Sequence, residues 1–430
     1  MVSPEHLESI AKETGFKQRA SIITPQAFLD TVFFSNAQSS PSLSEYSIDL
    51  AHHSAETVSK QAIDKRFNDH TKNMLTEILQ KVMAKQIRRD FSSNRESNFF
   101  SEIRIMDSSE FVVSKKVAES FPGYGGAGRE AIVQVQFEYE LLGGKVTELS
   151  LGSALNSDYI EGIRNIDKVP PKTLLIRDLG YFAPKVLKEV SQKDIYFISR
   201  AKAQWRFYIR QNNKLAVLST QDIINKLKNQ KEKYLDIEVV AGANALTPVR
   251  LIANLLSPEQ TTKRLKSKIA NRGKLGKDAQ EGACLNLFVT NIEKEKCDAS
   301  AIYQLYTLRW QIELIFKTWK SILKVHKIHS MNAKRLECVI LVKFLWVMLN
   351  WSILKLLEEE TQQRISLHKL THSIISRSKM LTATILQNKN LFSEWLSKMC
   401  DISIRHHLKE YKKCSLKESE ILSQTYFKIA

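Results

Sequence analysis

From Ala131 to Leu142 the chain alternates, with Val133, Val135, Phe137, Tyr139 and Leu141 as the apolar set. Successive side chains of a strand point to opposite faces, so a period of two fits a half-buried strand and does not fit a helix. Such a strand needs partners. Phe99 to Val113 is strand-like around Ile103, Ile105 and Phe111, and Lys145 to Leu151 continues the sheet. Between them, Ala118 to Gly128 holds Pro122 and four glycines, the composition of a turn or loop.

The pattern then changes character. Tyr159 to Ile166 reads as a helix, and Thr173 to Arg177 as a short apolar strand after Pro170-Pro171. Pro184 to Val190 reads as a helix and Asp194 to Ser199 as a strand. Three antiparallel-type strands, a helix, a strand, a helix and a strand is the element order of a ribonuclease-H-like fold. The expectation is therefore an α/β core with a mixed sheet and helices, its first part over residues 99–202 and its completion over 291–330.

The remaining segments read as additions to that core. Residues 1–98 are mostly helical, with starts at Thr24-Pro25 and at Ser42, which stands at capping-box spacing from Glu45. Thr57 to Phe67 resembles the second helix of a helix-turn-helix, with Ser59 as N-cap and Lys60, Gln61, Lys65 and Arg66 exposed for DNA; a bundle with a solvated basic face would look similar. Residues 203–290 read as a mainly β insertion, from strands at Trp205–Arg210, Leu215–Leu218, Leu235–Val240, Pro248–Ala253 and Leu285–Asn291. Within it, Lys263 to Lys277 carries seven cations and no acid until its end, either a solvated loop or a contact to a DNA backbone. Ala299 to about Val325 reads as one long helix, and 331–430 as helices that could serve dimerisation. Val339 to Leu357 is apolar but interrupted by Lys343, Asn350 and Lys355, so a buried helix is expected and no membrane partner. His52-His53 and His406-His407 read as ordinary surface residues.

Charge narrows the partner. Lys and Arg total 64 against 46 Asp and Glu, a formal +18. That excess implies a polyanion, with nucleic acid as the default, although a basic structural protein or a ribosome-associated factor would read the same. The five cysteines are scattered without a C-x-x-C pair, which argues against a disulfide framework or a zinc site. The first residues lack an apolar stretch of the signal-peptide kind, so a cytosolic protein is expected.

The chemistry is concentrated in three places. Advancing about 100° per residue from Tyr306 puts Arg309, Glu313 and Lys320 within roughly 60° of arc. One narrow stripe thus carries a phenol, two cations and a carboxylate, beside the apolar Leu308, Ile312, Ile315 and Trp319. A surface salt-bridge face would also show an Arg–Glu pair four residues apart. Two acids tip the balance. Asp107 follows Ile103 to Met106 on the first strand, and Asp178 follows Thr173 to Arg177 at the end of the fourth. Alone, the first reads as a loop acid and the second as a helix cap. With Glu313 they form an all-oxygen set suited to Mg²⁺ or Mn²⁺, and phosphodiester chemistry benefits from two such ions about 3.5–4 Å apart.

At these residues the chain resembles the insertion-sequence-four family of bacterial DDE transposases. Tyr306, Arg309, Glu313 and Lys320 meet its Y-R-E-K signature, Asp178-Leu179-Gly180-Tyr181-Phe182 its second-acid element, and Asp107-Ser108-Ser109 is like its first-acid segment. The resemblance implies a ribonuclease-H-like core interrupted by a β insertion. It also implies a cut-and-paste reaction on terminal inverted repeats and target DNA, by a homodimer, through a hairpin in the best-understood members. Asp107, Asp178 and Glu313 would be catalytic and hold two Mg²⁺ ions, with Mn²⁺ able to substitute. Tyr306, Arg309 and Lys320 would contact phosphates near the cleaved end, and Arg200 and Lys202 resemble basic residues after the last core strand. Alternatives are a catalytically silent, transposase-derived repressor or inhibitor, and a nuclease that cleaves without joining.

Overall fold

The computed structural model describes residues 3–37, 40–53, 56–86, 99–156, 158–164, 166–178, 180–181, 184–201, 205–242, 247–378, 389–410 and 420–421. Among the described residues, five helices come first: α1 (Pro4–Glu13), α2 (Pro25–Ser35), α3 (Leu43–Ala51), α4 (Lys60–Asp64) and α5 (Asp69–Ala84). Their starts are written in the sequence. Thr24 caps α2 ahead of Pro25, and Ser42 and Glu45 close a reciprocal capping box on α3.

Strands β1 (Glu102–Val112), β2 (Ile132–Glu140) and β3 (Val146–Ser153) follow, then α6 (Asp158–Arg164), β4 (Thr173–Arg177), α7 (Pro184–Gln192) and β5 (Tyr196–Arg200). β1 and β2 pair antiparallel, as do β2 and β3, whereas β4 runs parallel to both β1 and β5. The order across the sheet is β3-β2-β1-β4-β5. The segment expected as an insertion supplies β6 (Phe207–Gln211), β7 (Lys214–Leu218), α8 (Thr220–Asn229), β8 (Leu235–Ala241), β9 (Thr247–Leu255), α9 (Pro258–Arg272), α10 (Lys277–Glu281) and β10 (Leu285–Thr290). It does not fold as a separate sheet. β10 pairs antiparallel with β5, with Phe288 opposite Arg200, so the ten strands of the described residues form one mixed sheet.

Two sequence expectations change here. The basic run from Lys263 lies largely on α9, not in a loop, because Ser257, Pro258 and Gln260 make a strong helix start. Arg264 turns inward and donates to the Leu285 carbonyl at 2.7 Å and to Asn286 Oδ1 at 2.6 Å. And β2 is buried on both faces. Its second face carries Gln134, Gln136, Glu138 and Glu140; Glu140 accepts from the N–H groups of Leu142 and Gly143 just beyond it, and Gln136 and Glu138 find partners elsewhere. Arg177 on β4 donates to Glu138 at 2.7 Å, and Tyr181 donates to Gln136 Oε1 at 2.9 Å. Burial pushes the Glu138 carboxyl up, but Arg177 and Arg104 outweigh it and hold the group below its ordinary value.

Among the described residues, helices follow: α11 (Ala299–Thr307), α12 (Trp310–Ser321), α13 (Ala333–Thr361), α14 (Leu367–Ser376) and one over Lys389–Ile402. α13 is long and apolar enough to cross a membrane, yet 78% of its most apolar window is buried inside the protein, as in a core helix. It packs against α2 and α5, with Trp346 stacked on Phe33 at 4.3 Å. One continuous apolar core joins the N-terminal helices, one sheet face and the C-terminal helices. His407, expected at the surface, belongs to this interior. It is 4% exposed and hydrogen-bonded to Ser373 at 2.7 Å and Ser403 at 3.1 Å, because Leu408 pairs with Ile365 and folds the chain back on α14.

Candidate active site

Parallel pairing of β1 with β4 puts Met106 opposite Arg177. Asp107 and Asp178 are the next residues on each strand path. Each also continues the row that faces the main core: Ile103 and Ile105 precede Asp107, and Leu174 and Ile176 precede Asp178. The two acids therefore emerge side by side, on the face where the last helices pack. A turn fixes the second one, since the Tyr181 backbone N–H donates to the Asp178 carbonyl at 3.1 Å. Tyr181 itself is buried on the opposite face beneath Gly162, where an added Cβ would meet the Tyr181 carbonyl oxygen at 2.9 Å.

α11 and α12 deliver the rest. They were expected as one helix, but the chain tightens between them. The N–H groups of Leu308, Arg309, Gln311 and Ile312 each bond the carbonyl three residues back. This turn of 3₁₀ type changes the phase between Tyr306 and Glu313, which a fixed 100° step cannot represent. Ile312, Ile315, Phe316 and Trp319 are buried, and Trp319 meets Phe137 of β2 edge-on at 4.7 Å, which seats α12 on the sheet.

The predicted residues converge. Arg309 Nη1 donates to Asp107 Oδ2 and Nη2 to Glu313 Oε1, each at 2.6 Å. Tyr306 Oη donates to Asp178 Oδ1 at 3.2 Å. Lys320 Nζ donates to the Glu110 carbonyl at 3.3 Å. Asp107, Asp178, Arg309, Glu313 and Lys320 line one open cavity of about 680 Å³. Arg200 stands near enough to Tyr306 to act on it electrostatically.

Electrostatics follow from burial. Burial pushes the Asp107 carboxyl up to about 6, against the pull of Arg309 and a hydrogen bond from the Ser108 N–H. Burial likewise raises the Tyr306 phenol, with Asp178 adding to the rise, so the hydroxyl remains a donor at neutral pH. For Arg309, burial acts downward, but Tyr306, Asp107, Asp178 and Glu313 together more than offset it and the guanidinium stays charged. Among the described residues, no three His, Cys, Asp or Glu side chains are gathered tightly enough to hold an ion as they stand. A cation, Arg309, already bridges two of the carboxylates.

Beside Asp107 and Ser108 the cavity also holds residues that no motif singles out: Lys317, Ser321, His326 and Lys327. Lys317 had a signal, because at about 100° per residue it falls on the same stripe as Tyr306. His326 and Lys327 had none, since a turn after α12, with Lys324 at φ 49°, brings them back beside the helix. Of the other predicted DNA contacts, Lys60 is exposed at the start of α4. Arg66, expected to be exposed, is half-buried. It donates to the Phe16 carbonyl and to Ser21 and lies over the Phe16 ring, because α4 is only one turn long and the chain bends inward after it. Lys202 lies outside the described residues.

Known proteins resemble this chain over most of its length. A transposase for the insertion sequence element IS231F of Bacillus thuringiensis subsp. israelensis is 28% identical over 427 residues, 93% of this chain and 88% of that protein. A transposase for IS1151 of Clostridium perfringens is 26% identical over 454 residues, 98% of this chain and 92% of that protein. A cryo-EM structure of the piggyBac transposase synaptic complex with hairpin DNA covers 98% of this chain at 9% identity, with a TM-score of 0.43, too low to bear on the reaction. The model of the family described as the transposase DDE domain matches residues 98–349, more than half of the sequence, and the chain belongs to that family.

Proposed function

We propose that this chain is the transposase of an insertion sequence, which cuts DNA at the element's terminal inverted repeats and joins the 3′ ends to target DNA. The observation that carries the reading is the convergence of Asp107, Asp178 and Glu313, from two strands and a helix, on one cavity lined with cations. The strand order β3-β2-β1-β4-β5, with its parallel β1-β4-β5 half, supports a ribonuclease-H-like core. The β6–β10 segment is its insertion and the terminal helices its flanks. The protein acts on DNA in the cytoplasm as a homodimer, since two ends must be joined, and a hairpin intermediate fits the family's cut-and-paste route.

The donor set fits Mg²⁺, or Mn²⁺ in its place: three carboxylates, with no sulfur or imidazole among them. Asp107, Asp178 and Glu313 would hold the ions. Bound there, two divalent cations supply Lewis acidity at the attacking and leaving oxygens of a phosphodiester. The chain's own groups do the rest. Tyr306 fixes the Asp178 carboxylate through its hydroxyl. Arg309, Lys320 and Arg200 attract and orient phosphates near the cleaved bond, and Lys202 is assigned with them. Lys60 offers a further contact to the duplex, and Arg66 shapes the surface beside it.

The test is a duplex carrying the element end, incubated with Mg²⁺ or with EDTA and resolved on a denaturing gel. Wild type should cleave only with the metal. Glu313→Gln should bind the duplex and leave it intact. Tight, end-specific binding by both proteins, with cleavage by neither in Mg²⁺ or Mn²⁺, would overturn the enzymatic reading in favour of a DNA-binding regulator.

A further inference from the structure

Arg309 stands between two kinds of anion. In the fold it is committed to carboxylates, one nitrogen on Asp107 and another on Glu313, each at 2.6 Å. The planar guanidinium, with its donors in a fixed fork, matches such a bridging role better than a lysine ammonium. Only 13% of the Arg309 side chain is exposed, so solvent ions screen these contacts weakly. The bridge is nonetheless imperfect, because Arg309 Nε is buried without a hydrogen-bond partner. The same cavity carries Lys317, Lys320 and Lys327, so a phosphate attracted to these cations arrives beside Arg309.

We propose that Arg309 is an internal counter-ion that opposes divalent-cation binding until a DNA phosphate draws it off the acids, so that metal binding and DNA binding reinforce each other. This rests on the reading of Asp107 and Glu313 as metal ligands. A carboxylate lone pair that accepts from a guanidinium is not available to a metal ion, and a guanidinium beside that ion repels it. A phosphate supplies Arg309 with a bidentate partner of the same geometry. Its departure leaves Asp107 and Glu313 as uncompensated carboxylates, which raises their affinity for a divalent cation. By linkage, DNA then tightens metal binding by the factor by which metal tightens DNA binding. DNA-free protein holds metal weakly and is guarded against cutting DNA at random.

Isothermal titration of Mn²⁺ into the full chain without DNA tests this. Arg309→Gln should bind Mn²⁺ at least about fivefold more tightly than wild type, the low end of ordinary coupling between sites. Lys317→Gln removes a cation from the same cavity without breaking the bridge and measures the general effect of charge. The proposal is overturned if Arg309→Gln binds no more tightly than wild type, or gains no more than Lys317→Gln. Arg309→Lys should fall between wild type and Arg309→Gln, and it carries the test if Arg309→Gln does not fold. Asp107→Asn and Glu313→Gln separate the two levels of the argument. If neither changes Mn²⁺ affinity, the ligand assignment fails and the counter-ion falls with it. If both weaken Mn²⁺ binding while Arg309→Gln does not tighten it, the counter-ion role alone fails.

Discussion

Tyr306 and Asp178 are 128 residues apart in sequence and joined by a 3.2 Å hydrogen bond from the phenol to the carboxylate. The bond ties α11 to the end of β4 and limits rotation of an acid that would otherwise be set only by its own turn. Tyr306→Phe should keep the ring packed on Phe288, now at 5.0 Å, and lose only the hydroxyl. The cost in stability should be about 1 kcal/mol. Cleavage should slow more, by roughly 10- to 100-fold, since small displacements of a reacting group are expensive in rate. Single-turnover cleavage set beside urea melts checks this; a rate equal to wild type would remove Tyr306 from the site's function.

The basic wall of the cavity makes a different prediction. Lys320 and Lys327 approach from a helix and from the turn after it, and burial lowers the Lys320 ammonium from its ordinary value. If each meets one phosphate, Lys320→Ala and Lys327→Ala should each weaken DNA binding at low salt. Each should also reduce the slope of log affinity against log salt by about 1. The comparison is a salt series by fluorescence anisotropy. Weaker binding with an unchanged slope would show that the lysines support the fold and do not touch the backbone of DNA.

Packing beneath the site is open to a stability test. Trp319 is 3% exposed and meets Phe137 at 4.7 Å and Phe316 at 5.4 Å. It is the wedge between α12 and β2. Trp319→Ala should destabilise the protein by about 3–5 kcal/mol, the usual range for a large buried aromatic. Trp319→Phe should cost much less. Denaturant midpoints for the two variants decide the matter, and equal losses would mean that the contact with Phe137 is not what seats the helix.

Much of this was readable from the sequence, for identifiable reasons. Thr173–Arg177 is a strand with the bounds expected, because Pro171 and Asp178 punctuate a continuous apolar run. Asp107 and Asp178 stand out as candidates because one lies on an apolar strand and the other directly follows one, and Glu313 because it shares a helical stripe with Arg309. What failed was non-local. Alternation announced β2 but left its polar face to water, since nothing nearby shows that Arg177 and Tyr181 will cover it. The break between α11 and α12 is invisible in the sequence, because a shift to i→i+3 bonding leaves no mark on apolar spacing. Strands are legible between residues 207 and 290, yet the pairing of β10 with β5 depends on residues about 90 positions apart. His326 and Lys327 reach the cavity only through a turn at Lys324.

Lys343 offers a test of the buried frame behind the site, through pH. It lies mid-way along α13, is 1% exposed, and donates to the carbonyls of Asn36 at 3.3 Å and Leu323 at 3.1 Å. Among the described residues no carboxylate pairs with it, and Lys324 is the charge that acts on it. Burial, and then Lys324, lowers its pKa from 10.5 to about 8. The unfolded chain therefore binds a proton that the folded chain has released between about pH 8 and pH 10.5. Stability contributed by this group rises with pH across that window, and below it the buried charge is a standing cost. The full shift corresponds to roughly 3 kcal/mol. Lys343→Met fills similar volume, removes the titration and leaves two carbonyls to find other donors. Urea melts of both proteins across the window should therefore show wild type gaining on the variant as pH rises, by up to about 3 kcal/mol. A difference that stays constant with pH would mean that the ammonium is hydrated in solution and that the link from Asn36 through Lys343 to Leu323 is looser than the fold shows.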